Sequence, residues 1–127
     1  DRGSIPRIID AYYRAGAQDK ARALGNKMSK NLADLGRYYN DLSPNVKDGM
    51  VQVMYFSISN FAQAANSASQ FNDTEMADKW FNEVEAIGAT TPFADQLKGI
   101  RPAPRPQAKP QAAESAASKQ QAAGVAQ

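Results

Sequence analysis

The densest supply of reactive groups in this chain is acidic: Asp73, Glu75, Asp78, Glu83 and Glu85. Paired carboxylates can move protons or hold a cation, so these five are the first candidates for chemistry. A calcium loop would need an Asp-x-Asp-x-Asp run followed by glycine, and no such run is present. Asp73 and Glu75 also fall where a helix would begin, and a helix N-terminus favours negative charge without any catalytic purpose. The chain has no histidine and no cysteine. That removes the commonest general base, thiol nucleophiles, Fe–S ligands and disulfides, and no hydrolytic triad can be assembled. No phosphate-cradling glycine motif occurs either. The expectation is a non-enzyme with no catalytic residue, no cofactor and no metal site.

Aromatic residues come in pairs: Tyr12–Tyr13, Tyr38–Tyr39, Tyr55–Phe56 and Trp80–Phe81. Exposed rings could stack on sugars or grip a partner protein. In each pair, however, one ring can face a core and the other its edge, so core packing is the favoured reading. Tyr13, Tyr55 and Phe56 are the candidate partner-contact residues, on a face of the first and third helices expected to be uncovered.

Charge points away from nucleic acid. The net charge of +2 is uneven: residues 1–100 hold 11 Lys or Arg against 12 Asp or Glu, a net −1. Residues 101–127 hold four basic residues and one acid, a net +3. A nucleic-acid surface needs a concentrated basic stripe, which the first hundred residues lack. No apolar run approaches the roughly 20 residues of a membrane helix. The chain opens on Asp1 with no signal-type region, as expected of a processed chain or a piece of a larger one.

The elements that must position these residues read as helices. Apolar residues recur at three- and four-residue steps in four stretches, and no strand-like alternation stands out. The spacing predicts helices over about 4–15, 18–41, 44–71 and 74–87, then a short one within TPFADQLK. Pro6 and Pro44 sit in first turns, Ser43 reads as an N-cap, and NDTE (72–75) reads as a capping box. The third helix, with the broadest apolar face, is the expected centre. Leu24, Met28, Leu35, Met54, Ile58, Phe61, Trp80 and Phe81 are the expected core. Gly25 and Gly36 each cost about 1 kcal/mol in a helix interior, so they imply close packing or a bend. From Arg101 the composition turns to Pro, Ala and Gln with no aromatic residue, which predicts a disordered tail (101–127) after a helical domain (1–100).

A helical hairpin around Gly16 recurs in altered form. Tyr12, Gly16 and Ala21 have the same spacing as Ala68, Asn72 and Ala77. Tetratricopeptide-type hairpins place small residues where paired helices cross, and they offer a concave peptide-binding surface. The two units are 56 residues apart, though a tandem array of that type repeats at about 34. A helical bundle using the same packing solution therefore stays open beside the expected architecture of two TPR-like hairpins.

The segments AYYRAGAQDKARAL, KMSKNLADLGRYYNDL and ADKWFNEVEAI, joined by a long helix, resemble the C-terminal soluble region of a Bacteroidota membrane-protein family. Its members are multi-spanning, similar to protein O-mannosyltransferases, and classed as family 117 glycosyltransferases. The resemblance spans residues 5 to about 90 and rests on packing patterns, and the Pro/Ala/Gln tail lies outside it. It implies an extracytoplasmic, periplasmic-face helical domain that docks on its parent membrane domain or on a partner or acceptor protein. The family's catalytic acids lie in the membrane-spanning part, so no functional residue carries over. The alternative is a free-standing periplasmic binding protein with its own pocket for a peptide or protein.

Overall fold

Local signals decide where each helix begins and ends. The computed structural model describes residues 4–102, and those residues form five helices and no strand. They are α1 (Ser4–Arg14), α2 (Gln18–Asn40), α3 (Pro44–Gln70), α4 (Thr74–Gly88) and the four-residue α5 (Ala94–Leu97). The all-α fold of four main helices is present, with boundaries within about a residue of those expected. Only α5 is shorter than its segment suggested. None of these helices is long and apolar enough to cross a membrane. Of the tail expected from Arg101, only Arg101 and Pro102 are described; the rest lies outside the described residues.

The turns after α1 and α3 are built alike. Gly16 (φ 77°) and Asn72 (φ 63°) both take the left-handed conformation that ends a helix. The next amide donates five residues back in each case, Ala17 N–H to the Tyr12 carbonyl and Asp73 N–H to the Ala68 carbonyl, both at 2.8 Å. Asparagine tolerates that backbone better than most side chains do, which is why it can stand where the first turn has glycine. This corrects the capping-box reading. Asn72 is the turn residue, the N-cap passes to Asp73, and the Asp73 side chain makes no capping bond. Ser43 does occupy the N-cap of α3 with extended backbone ahead of Pro44, but its hydroxyl makes no capping bond either.

Each three-residue turn folds its helices back into a hairpin. The hairpins stack side by side, with α1 beside α3 in one layer and α2 beside α4 in the other. Asp10 meets Ser67 and Tyr13 meets Phe71, so α1 and α3 run in the same direction. Ser29 meets Glu83 and Gly36 meets Ile87, so α2 and α4 do too. Of the four main helices, α2 and α3 each touch the other three, while α1 and α4 do not touch each other. The centre is thus shared by α2 and α3, where the sequence pattern pointed to α3 alone.

Met54, Ile58, Phe61, Trp80 and Phe81 are buried, as expected. Leu24, Met28 and Leu35 are not; they lie half-buried at the edge of the core. The reason is the face α2 turns inward: Ala21, Gly25, Ser29, Leu32, Gly36 and Tyr39. The Trp80 ring lies directly over Gly25, where a Cβ would overlap it, and Ile87 packs over Gly36. Burying a whole indole gains more than seating a leucine, so α2 rotates to offer its smallest residues to α4. Trp80 Nε1–H then donates to Asn26 Oδ1 at 2.9 Å, satisfying its polar atom.

Candidate functional site

The acids of α4 do not converge. No group of three or more Asp or Glu among the described residues could hold a metal ion. Asp78 and Glu85 instead receive Arg101, each at 3.3 Å, and Asn82 accepts from the same guanidinium at 2.7 Å. Arg101 also lies over the Phe81 ring, 5.5 Å from its centroid. The first residue assigned to the tail is therefore fastened to α4. Glu83 accepts from the Ser29 hydroxyl at 2.7 Å, and Glu75 lies mostly in solvent, 3.9 Å from Arg22.

Asp73 is different: it is buried, at 2% exposure, and joins both hairpins. Its Oδ2 accepts from the Tyr13 hydroxyl at 2.7 Å and from Arg22 Nε at 3.0 Å. Arg22 Nη2 reaches Oδ1 at 2.8 Å, completing a two-pronged pair. Burial pushes the Asp73 carboxyl up, but hydrogen bonds from Arg22 and Tyr13, the Arg22 charge and a bond from Gln18 outweigh it. The group is held below the ordinary carboxylate value. The Tyr13 phenol is driven far above its ordinary value, first by burial and then by Asp73. Both carboxylate oxygens of Asp73 are engaged, so the network clamps one hairpin to the other.

That network settles where the aromatic candidates stand. Tyr13 is buried (7% exposed) and stacks on Phe71, ring centroids 5.8 Å apart and planes within 4°. Its place on an uncovered face is overturned, because its hydroxyl finds a buried acceptor 60 residues away. Tyr55 and Phe56 do lie on the surface, 44% and 49% exposed, on consecutive positions of α3. Tyr55 leans edge-on against Phe93 at 5.1 Å. Among the described residues Phe56 takes part in no ring contact, and Val46, on the same helix, is 49% exposed. α1 packs along the C-terminal half of α3 instead, Asp10 at Ser67 and Tyr13 at Phe71, and its 11 residues span about 16 Å against about 40 Å for the 27 residues of α3.

Two grooves lie beside α1. One, about 490 Å³, is polar and runs between α1 and the C-terminal half of α3, past Arg7, Asp10, Gln63 and Asn66. Asp10 is already committed there, accepting from Arg14 at 2.6 Å and from Ser67 at 3.0 Å. The other, about 320 Å³, opens between α2 and α3 below Ile5. Its floor is Leu32, Phe61 and Asn60, and its flanks include Met28, Leu35 and Val53.

Arg22 and Asn60 were missed by sequence reasoning, as was the role of Asp73. Asp73 looked like a helix-cap acid, and nothing local marks Arg22 as its partner. For Asn60 a signal did exist: an amide set between Ile58 and Phe61 on the broad apolar face of α3. Comparison with family models, curated proteins and solved structures finds no match to this chain.

Proposed function

We propose that this chain is a non-catalytic helical interaction module, acting as the extracytoplasmic part of a membrane glycosyltransferase of the family its sequence resembles. Its role is to hold the parent membrane domain, or a partner or acceptor protein, against the uncovered half of α3. The observation that carries this reading is the exposure of Tyr55 and Phe56, two large rings on consecutive positions of a helix whose other half carries α1. Rigid aromatic side chains bury much area at low entropic cost when a partner covers them. The stacking of hairpins into two layers is the arrangement by which tetratricopeptide-like domains present such surfaces, and it supports the reading further.

The test is a photo-crosslinker, benzoylphenylalanine, placed at position 56 in cells of the native source, with exposed Lys30 on α2 as the control position. Position 56 should crosslink to the glycosyltransferase chain or one neighbouring protein, and position 30 should not. Replacing Tyr55 and Phe56 by serine should abolish a crosslink placed beside them, at Gln52, and leave the melting temperature within a few degrees. Equal crosslinking at both positions overturns the proposal. The second reading, a free-standing peptide-binding protein, is favoured by the apolar groove below Ile5 and predicts a soluble adduct with no membrane protein in it.

A further inference from the structure

The α2/α3 groove contains one group that the fold itself does not explain. Asn60 is 7% exposed and lines the groove floor, yet its side chain has no hydrogen-bond partner among the described residues. The buried serine, threonine and aspartate side chains are all matched: Ser29 with Glu83, Ser67 with Asp10, Thr91 with the Gly88 carbonyl, and Asp73 with Tyr13 and Arg22. A buried amide without a partner weakens a fold, and a leucine of similar size would suit this apolar setting better.

We infer that the groove between α2 and α3 binds an extended peptide segment of a partner protein, seating one large apolar side chain on Phe61 and Leu32 while Asn60 pairs with the peptide backbone. The donor set argues for that occupant. An asparagine amide offers an N–H donor and a carbonyl acceptor together, which is the complement of a peptide unit. A second asparagine, Asn31, lines the same groove from the α2 side, at the exposed rim. The half-buried Met28, Leu35 and Val53 flank the seat with adaptable apolar surface, methionine above all. At about 320 Å³ the groove lies at the low end for ligand clefts, enough for one side chain and its flanking backbone. An acyl chain would use the apolar floor but leave both amides unanswered. This inference rests on the interaction-module reading only in that the ligand is polypeptide; the site does not include Tyr55 or Phe56.

The experiment is an amide-resolved NMR titration of the full ¹⁵N-labelled chain with capped pentapeptides, acetyl-Gly-Ser-X-Ser-Gly-amide, where X is Leu, Phe or Asp. The Leu or Phe peptide should give saturable shifts at groove residues, with the Asp peptide at least about 10-fold weaker. Asn60→Leu should weaken the better peptide about 10-fold while the melting temperature holds or rises, a combination that a merely structural asparagine would not give. Asn31→Ala, at the exposed rim, should weaken it about threefold without a change in melting temperature, which guards against misfolding of the first variant. No saturable shift up to about 10 mM overturns the inference, as does equal affinity for the Asp peptide or unchanged affinity in Asn60→Leu. Tighter binding of decanoate at the same residues would assign the groove to acyl chains instead. Shifts in residues 103–127 on Asn60→Leu would assign it to the chain's own C-terminal segment, and both results also overturn it. The crosslink at position 56 reads a different surface, so either test can fail while the other succeeds.

Discussion

The Tyr13 hydroxyl donates to the Asp73 carboxylate across 2.7 Å, tying the turn end of the first hairpin to that of the second. Both residues sit beside equivalent turns, Tyr13 three residues before Gly16 and Asp73 just after Asn72. The repeated turn geometry therefore brings the two groups to one corner of the molecule, and Arg22 closes the corner from α2. A buried carboxylate there is tolerable only because three donor groups face it.

Tyr13→Phe removes one donor and leaves the ring stack on Phe71 intact. A hydrogen bond to a charged group contributes about 1.5–3 kcal/mol, and Arg22 still holds Asp73, so the loss should fall near the lower end. Urea unfolding of the pair of proteins measures it directly. A difference under about 0.5 kcal/mol would mean that the bond does not form in solution.

The same corner contributes to stability at both ends of the pH range. Asp73 is held below its unfolded value of about 3.9, so its contribution is complete above that pH. It is lost as pH falls from there through the folded value. Tyr13 is displaced the other way, so its contribution is complete below about pH 10 and lost as pH rises beyond it. Unfolding midpoints followed across pH should show Asp73→Asn flattening the acid limb and Tyr13→Phe flattening the alkaline one. An acid limb of the same slope in Asp73→Asn would place the acid sensitivity in other carboxylates.

Glycines in the helices should answer alanine in opposite ways. Gly25→Ala pushes a methyl into the Trp80 ring and should lose about 1–3 kcal/mol, despite a propensity gain of about 1 kcal/mol. Gly49 in α3 has open space around it, so Gly49→Ala should gain about 0.5–1 kcal/mol. Gly36→Ala meets Ile87 at an ordinary 3.4 Å and should stay within about 1 kcal/mol of the parent. Thermal melts of the three variants test the ranking, and a stable Gly25→Ala protein would move Trp80 away from α2.

Phe61→Ala should cost about 3–5 kcal/mol, since the ring is 1% exposed and packs 5.9 Å from Trp80, centroid to centroid. Leu24→Ala, at a half-buried site, should cost clearly less in the same denaturation series. Equal losses would show that α2 is rotated toward the leucine seam after all.

Much of the helical frame is legible in the sequence because its signals are local. Pro44 after Ser43, Gly16 after Tyr13 and the three-and-four apolar steps through Met54, Ile58 and Phe61 act within a turn or two of backbone, so they mark helices whatever packs against them. The face each helix turns inward is another matter. On α2 the apolar count favours Leu24, Met28 and Leu35, yet Trp80, far along the chain, takes the glycine side because an indole needs the space that Gly25 leaves. Tyr13 looks equally suited to core or surface until Asp73 supplies its hydroxyl with a buried acceptor. The exposure of Tyr55 and Phe56, and of the groove that holds Asn60, follows from α1 packing along the C-terminal half of α3. Such outcomes depend on distances between residues remote in the chain, and only the packed tertiary structure decides them.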